Sequence, residues 1–108
     1  MTVKELCEKF GYEAMAMPDP EREITGGYVG DLLSWVMGRA KAGDAWVTIM
    51  SNVNIIAVAT LADPACIILS EGVRPDAGVI ERAEASGVNL LGCEKDSFAV
   101  ASQIAREL

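Results

Sequence analysis

The sequence predicts an α/β fold: one compact domain with a mostly parallel, four- to five-stranded sheet flanked by helices. Three observations carry this. After an N-terminal helix, short apolar segments and longer helical ones alternate four times. The apolar segments at 45–50 and 65–69 are continuous runs, as suits strands covered on both faces. At 108 residues the chain fits a single domain, 1–108. A domain of that size buries roughly 65% of its unfolded surface, enough for a real core.

Thr2 and Glu5 have capping-box spacing. Val3, Leu6, Cys7 and Phe10 follow at helical spacing, and Gly11 stands where a helix-ending glycine belongs, so 3–10 is a helix. Residues 12–17 read as a strand ended by Pro18-Asp19-Pro20. Residues 22–25 allow only a brief strand, broken by Gly26-Gly27. Val29, Leu32, Leu33, Val36, Met37 and Ala40 then form a helical stripe that closes at Gly43-Asp44.

The run 45–50 is a buried-type strand, with Ser51 and Asn52 as turn and cap residues. Alanine content favours a helix over 54–62, although Ile55, Ile56 and Val58 are β-branched. That segment is apolar almost all round. It is buried inside the domain or against a second copy. A strand over 65–69 and the turn Ser70-Glu71-Gly72 follow. A helix from Asp76 carries Val79, Ile80 and Ala83. Residues 88–91 are a strand, and Asp96 caps a last helix with a stripe of Phe98, Ala101, Ile104, Ala105 and Leu108.

The composition excludes several function classes. The net charge is −7 and the nine Lys and Arg residues are scattered, which disfavours nucleic acid as a partner. The longest apolar run, 55–62, is far short of a membrane span, and no signal-peptide pattern opens the chain. The expectation is a soluble cytoplasmic protein with no membrane partner. Cys7, Cys66 and Cys93 lie far apart without CxxC spacing, so they read as reduced, packed thiols rather than metal ligands. There is no histidine, hence no Ser-His or Cys-His dyad. No metal site and no cofactor are expected.

In open parallel sheets ligands collect beyond the carboxyl ends of the strands. Those ends are expected at Thr25-Gly26-Gly27, at Ser51-Asn52 with Asn54, at Ser70-Glu71-Gly72 and at the loop 93–96. The glycine turn would lead into a helix whose N-terminus holds an anion, or it simply supplies a tight turn. It does not match GxGxxG, and no Walker lysine follows. Asp31 sits at the start of the long helix, as a ligand contact or a dipole partner. Glu71 and Glu94 are either a carboxylate pair or two solvated acids among sixteen. Tyr28 and Trp35 would lie about 20° apart around one helix, with Arg39 on the same flank. That aromatic flank, with Ile55, Ile56 and Val58, points to a homodimer interface.

Arg22, Thr25, Gly26 and Gly27, then Gly30-Asp31-Leu32-Leu33, Asn54-Ile55-Ile56-Ala57-Val58-Ala59 and Ile67-Ile68-Leu69 resemble the DRTGG domain family along the whole chain. Glu21 stands where the family name has Asp. The resemblance implies a compact α/β domain related to the N-terminal domain of HPr kinase/phosphorylase. Such domains also accompany CBS domains in some inorganic pyrophosphatases and occur in some phosphate acetyltransferases. They are regulatory or assembly modules, and the pyrophosphatase case implies a dimer contact. The motif adds Arg22 to the candidate ligand-binding residues. Kinase activity is not implied, because that P-loop belongs to a separate domain and no GxxxxGK[ST] occurs here. The resulting expectation is a non-catalytic regulatory module, dimeric, sensing a small anionic metabolite or nucleotide. The alternatives are an interaction module with an unknown protein partner and no small ligand, and a carboxylate/metal enzyme using Asp31, Glu71 or Glu94.

Overall fold

The computed structural model describes all residues, 1–108. Its elements are α1 (Val3–Phe10), β1 (Glu13–Ala16), β2 (Gly26–Val29), α2 (Leu33–Arg39), β3 (Asp44–Thr48), α3 (Asn54–Ala62), β4 (Cys66–Leu69), α4 (Val79–Ser86), β5 (Leu90–Gly92) and α5 (Ser97–Ala105). The five strands form one sheet in the order β1-β5-β4-β3-β2. Strands β2 to β5 are parallel and β1 is antiparallel to β5. The sheet is therefore mixed, with β1 at one edge and β2 at the other.

The sheet is buried on both faces. Trp46, Ile67, Leu69 and Leu90 pack against α2, α3 and α4 through Val36, Ile55, Ile56, Val79 and Ala83. Ala45, Val47, Cys66, Ile68 and Leu91 pack against α1 and α5 through Val3, Leu6, Val100 and Ile104. Alternation along each strand divides the side chains between these two cores. Every residue of β3 and β4 is buried. This is why those strands read as uninterrupted apolar runs.

Local chemistry sets the helix ends. The Thr2 hydroxyl accepts the Glu5 N–H at 3.1 Å and the Glu5 carboxylate accepts the Thr2 N–H at 2.8 Å, closing the capping box. Gly11 ends α1 at φ 72°. The Asp96 carboxylate accepts the Ala99 N–H at 2.8 Å and starts α5. Helix α4 begins at Val79, after Gly78 at φ 85°, rather than at Asp76.

Two expectations fail, for related reasons. Gly26-Gly27 does not break a strand; it starts one. Gly26 pairs with Asp44 and Gly27 with Ala45 in a parallel ladder. A Cβ on Gly26 would lie 2.6 Å from Asp44 Oδ1, so the close approach of β3 selects the glycine. The helical stripe from Val29 is accordingly cut short. Tyr28 and Val29 lie on β2, and α2 starts only at Leu33. The last helix also turns differently: Val100 and Ile104 are buried, while Phe98 and Leu108 face solvent.

The backbone between β1 and β2 crosses beneath the amino ends of β4 and β5. Buried Asn89 holds it there. Its Nδ2 donates to Asp19 O at 2.7 Å and Ala65 O at 3.0 Å, and its Oδ1 accepts the Asp19 N–H at 3.0 Å. No buried side-chain polar atom is left unpaired.

Candidate functional site

The register of the sheet divides the sequence-predicted site residues between its two ends. Thr25, Gly26 and Gly27 are at the amino end of β2, beside Gly43 and Asp44 at the amino end of β3. Asp31, Ser51, Asn52, Asn54, Ser70, Glu71 and Gly72 follow the carboxyl ends of β2, β3 and β4. The length of a four-residue strand, roughly 13 Å, separates the two groups. The glycine pair therefore does not join the carboxyl-end loops, and it opens no helix.

At the amino end, Arg22, Thr25 and Gly26 build a junction. Arg22 Nη1 donates to Asp63 Oδ1 and Nη2 to Asp63 O, both at 3.0 Å. Asp63 closes α3 in the left-handed conformation, φ 60°. Its carbonyl also accepts the Gly43 N–H at 3.0 Å, and Gly43 O accepts the Thr25 N–H at 2.9 Å. The start of β2 is thus tied through β3 to the α3–β4 turn. Gly43 stands at φ 87°, and a Cβ there would come within 2.3 Å of Thr25 Oγ1. Asp63 is thus both the residue that ends α3 and the acceptor for Arg22.

At the carboxyl end the polar residues pair with one another. Asp31 Oδ1 accepts the Thr48 hydroxyl at 2.8 Å and the Ile49 N–H at 2.9 Å. The Ser51 hydroxyl donates to Asp76 Oδ1 at 3.0 Å, and Asp76 N–H returns a bond to Ser51 O at 2.9 Å. Asn52 Oδ1 accepts the Asn54 N–H at 2.9 Å, a local turn at the head of α3. The hydroxyls of Ser70 and Ser97 share a hydrogen bond at 2.7 Å, and Glu71 Oε2 accepts the Ser97 N–H at 3.2 Å. Asp31 and Glu94 are separated by three strand spacings, roughly 14 Å, so Asp31 does not converge with Glu94, while Glu71 and Glu94 stand on the neighbouring loops after β4 and β5. No three acidic or thiol side chains cluster as a metal-ligand set.

A polar cleft of about 320 Å³ opens where the β4–α4 and β5–α5 loops meet β1. Its walls include Phe10, Glu13, Gly72, Arg74, Glu94 and Lys95. The loop bends sharply, with Glu71 at φ 61° and Gly72 at φ 70°. Glu71 N–H bonds to Lys95 O at 2.8 Å and Gly72 N–H to Cys93 O at 2.9 Å, which fixes the two loops together. A Cβ on Gly72 would meet Glu94 Oε2 at 2.5 Å, so the glycine gives this carboxylate its place. Arg74 donates to both carboxylate oxygens of Glu13, at 2.7 and 3.3 Å. That hydrogen bonding holds the Glu13 carboxyl below its ordinary range. Lys95 makes no ion pair. Sequence reasoning found Gly72 and the loop 93–96 that carries Lys95, and missed Glu13 and Arg74, because only the antiparallel return of β1 brings Glu13 beside Arg74.

The proposed interface residues also separate. Ile55, Ile56 and Val58 are buried in the domain's own core and offer no surface to a second subunit. Tyr28 lies on β2 and is partly buried against that core. Trp35 is 55% exposed, with the Arg39 guanidinium 3.6 Å from the centre of its ring. Exposed Leu32 lies three residues before it. Burial pushes the Cys7 thiol up to about 11 and raises Cys66 further, which suits protonated, packed thiols.

A family model, the DRTGG domain, matches residues 4–106. No curated protein matches the chain. Among solved structures, it is similar to the CBS and DRTGG domains of the regulatory region of Clostridium perfringens pyrophosphatase, complexed with the activator diadenosine tetraphosphate. The TM-score is 0.71 at 17% identity, over 99% of this chain and 47% of the other. The chain thus spans about half of that structure, and the likeness is one of fold.

Proposed function

The chain belongs to the DRTGG domain family, and from that premise we propose that it is a non-catalytic regulatory module, dimeric, that senses a small anionic ligand. The observation that carries this reading is how the carboxyl-end polar groups are used. Asp31, Glu71 and Asp76 accept hydrogen bonds that join one loop to the next. The chain has no histidine, so the hydroxyls of Thr48, Ser51 and Ser70 lack the base that ordinarily activates such groups near neutral pH. These contacts order the loops at the carboxyl end of the sheet; they do not assemble a nucleophile and its base.

The sensing half is supported by the cleft beside Gly72 and by the neighbour, a regulatory region that binds a nucleotide activator. With the glycine pair at the far end of β2, the candidate contact from the sequence reading that lines the cleft is Gly72; Glu71 and the buried Ser70 hold its loop through Ser97, and Asp31, Ser51, Asn52 and Asn54 belong to the other carboxyl-end loops. The dimer half is supported by Leu32, Trp35 and Arg39, an exposed patch of the aromatic–arginine type enriched at interfaces.

A thermal-shift screen against nucleotides and phosphorylated metabolites tests sensing. Stabilisation by at least one anionic compound is expected, and silence across the panel would remove the sensing reading. A stable protein partner that co-purifies, is lost on Trp35→Ala and needs no small ligand would favour the interaction-module reading instead.

A further inference from the structure

We infer that the cleft between β1 and the β4–α4 and β5–α5 loops is a phosphate-monoester site, in which the ligand phosphate takes Arg74 away from Glu13 and is met by Lys95. The inference rests on the sensing reading and gives it a place and a ligand class. In a chain of net charge −7 an anion is repelled by most of the surface. Of the three cavities, this is the one that brings two cationic side chains together, Arg74 and Lys95, alongside the carboxylates of Glu13 and Glu94. Arg74 presents a planar fork suited to phosphate, and Lys95 adds a free point charge.

The obstacle is Glu13, which occupies that fork. It is a weak competitor. The Glu13 and Arg74 side chains are 55% and 60% exposed, and an exposed ion pair contributes little to stability. A phosphate offers a higher charge and more acceptor oxygens than the carboxylate it replaces. The cavity, about 320 Å³, lies at the small end of ligand pockets, so it suits one phosphate with a single compact organic group rather than a dinucleotide. Phe10, on the wall, supplies a flat apolar surface for that group. Since Glu13 pairs with Gly92 on the edge strand β1, occupancy is coupled to that edge of the sheet.

The test is calorimetric titration of the full chain with inorganic phosphate and with adenosine 5′-monophosphate, repeated on Glu13→Gln, Arg74→Gln and Lys95→Gln. Because these side chains are largely exposed, the variants are expected to melt near the wild-type temperature. Removing the competitor in Glu13→Gln should tighten binding severalfold. Arg74→Gln should weaken it about tenfold or more, and Lys95→Gln should weaken it less. Amide resonances of Gly72 and Lys95 should move on titration. Binding that is no tighter in Glu13→Gln, or that survives Arg74→Gln unchanged, overturns the site while leaving the sensing reading in place. Adenosine binding as well as its monophosphate would overturn it too, as would no binding by Glu13→Gln at millimolar phosphate. The sensing reading itself falls only if the wider ligand screen is silent.

Discussion

Arg22 holds Asp63 by two different oxygens: Nη1 reaches the side-chain Oδ1 and Nη2 the main-chain O, each at 3.0 Å. One guanidinium therefore fixes both the conformation of the residue that ends α3 and the place of the chain entering β2. The Arg and the Thr-Gly-Gly of the family motif meet here as a structural junction. Replacing Arg22 by Ala should lower stability by about 1–2 kcal/mol, the range for a charge-assisted hydrogen bond with partial exposure. Chemical denaturation of Arg22→Ala, Asp63→Ala and the double variant checks this. Additive effects in the cycle would show that the two residues do not act together.

Gly26 and Gly43 are required by space and by backbone conformation. Gly26→Ala forces the Asp44 carboxylate to move from the position where it accepts the Lys41 N–H at 2.8 Å. A loss of about 1–3 kcal/mol is expected. Gly43→Ala is strained at φ 87° as well as crowded by Thr25 and should cost at least about 1 kcal/mol. Thermal unfolding measures both. A variant as stable as the wild type would contradict the packing described for that glycine.

Trp46 is fully buried, and its Nε1–H donates to Gly30 O at 2.9 Å. Trp46→Ala should cost about 3–5 kcal/mol and threaten folding altogether. Trp46→Phe keeps most of the apolar volume and leaves the Gly30 carbonyl without its partner. It should be milder, about 1–3 kcal/mol, and denaturant midpoints should place it between the other two proteins.

The ionisable groups give signed expectations. Glu5 is held below its ordinary value of 4.5 by the N–H and hydroxyl of Thr2, and Glu13 by Arg74. A depressed carboxyl contributes stability that is present above its unfolded value and lost as pH falls through the folded one. The advantage of wild type over Glu13→Gln should therefore be small near neutral pH, and it should shrink as pH falls below 4.5 and vanish once pH passes the lowered folded-state value. Stability measured from pH 7 downward tests the sign. The buried thiols act oppositely: Cys66 should resist alkylation at pH 8 until the chain unfolds, and Cys7, raised to about 11, should react slowly.

Trp35→Ala removes an exposed ring and the surface on which Arg39 lies. It should change stability by no more than about 0.5 kcal/mol while abolishing self-association in sedimentation at several concentrations. A wild-type chain that stays monomeric at high concentration would refute the dimer.

Much of the fold is written locally. The capping box of Thr2 and Glu5, the stop at Gly11, the Asp96 cap and the runs of β3 and β4 follow from hydrogen-bonding chemistry and apolar burial within a few residues of each position. They also set the class, since strands buried on both faces and joined by helices make a mostly parallel sheet. Strand partners were not legible. Gly26-Gly27 looked like a break because glycine usually weakens a strand, yet the approach of Asp44 from β3 makes glycine the residue that fits. That contact moved the motif to the amino end of the sheet, away from Ser70, Glu71 and Gly72. In the same way Ile55, Ile56 and Val58 looked available to a partner until the sheet and the flanking helices enclosed them. Glu13, Arg74 and Lys95 are brought to one cleft by the antiparallel return of β1 and the meeting of two loops. The class and most of the elements are legible along the chain, because propensity, capping and burial pattern act over short range. Strand β2, and the question of which strand ends share a site, are not, because register and sheet order depend on contacts between residues distant in the chain.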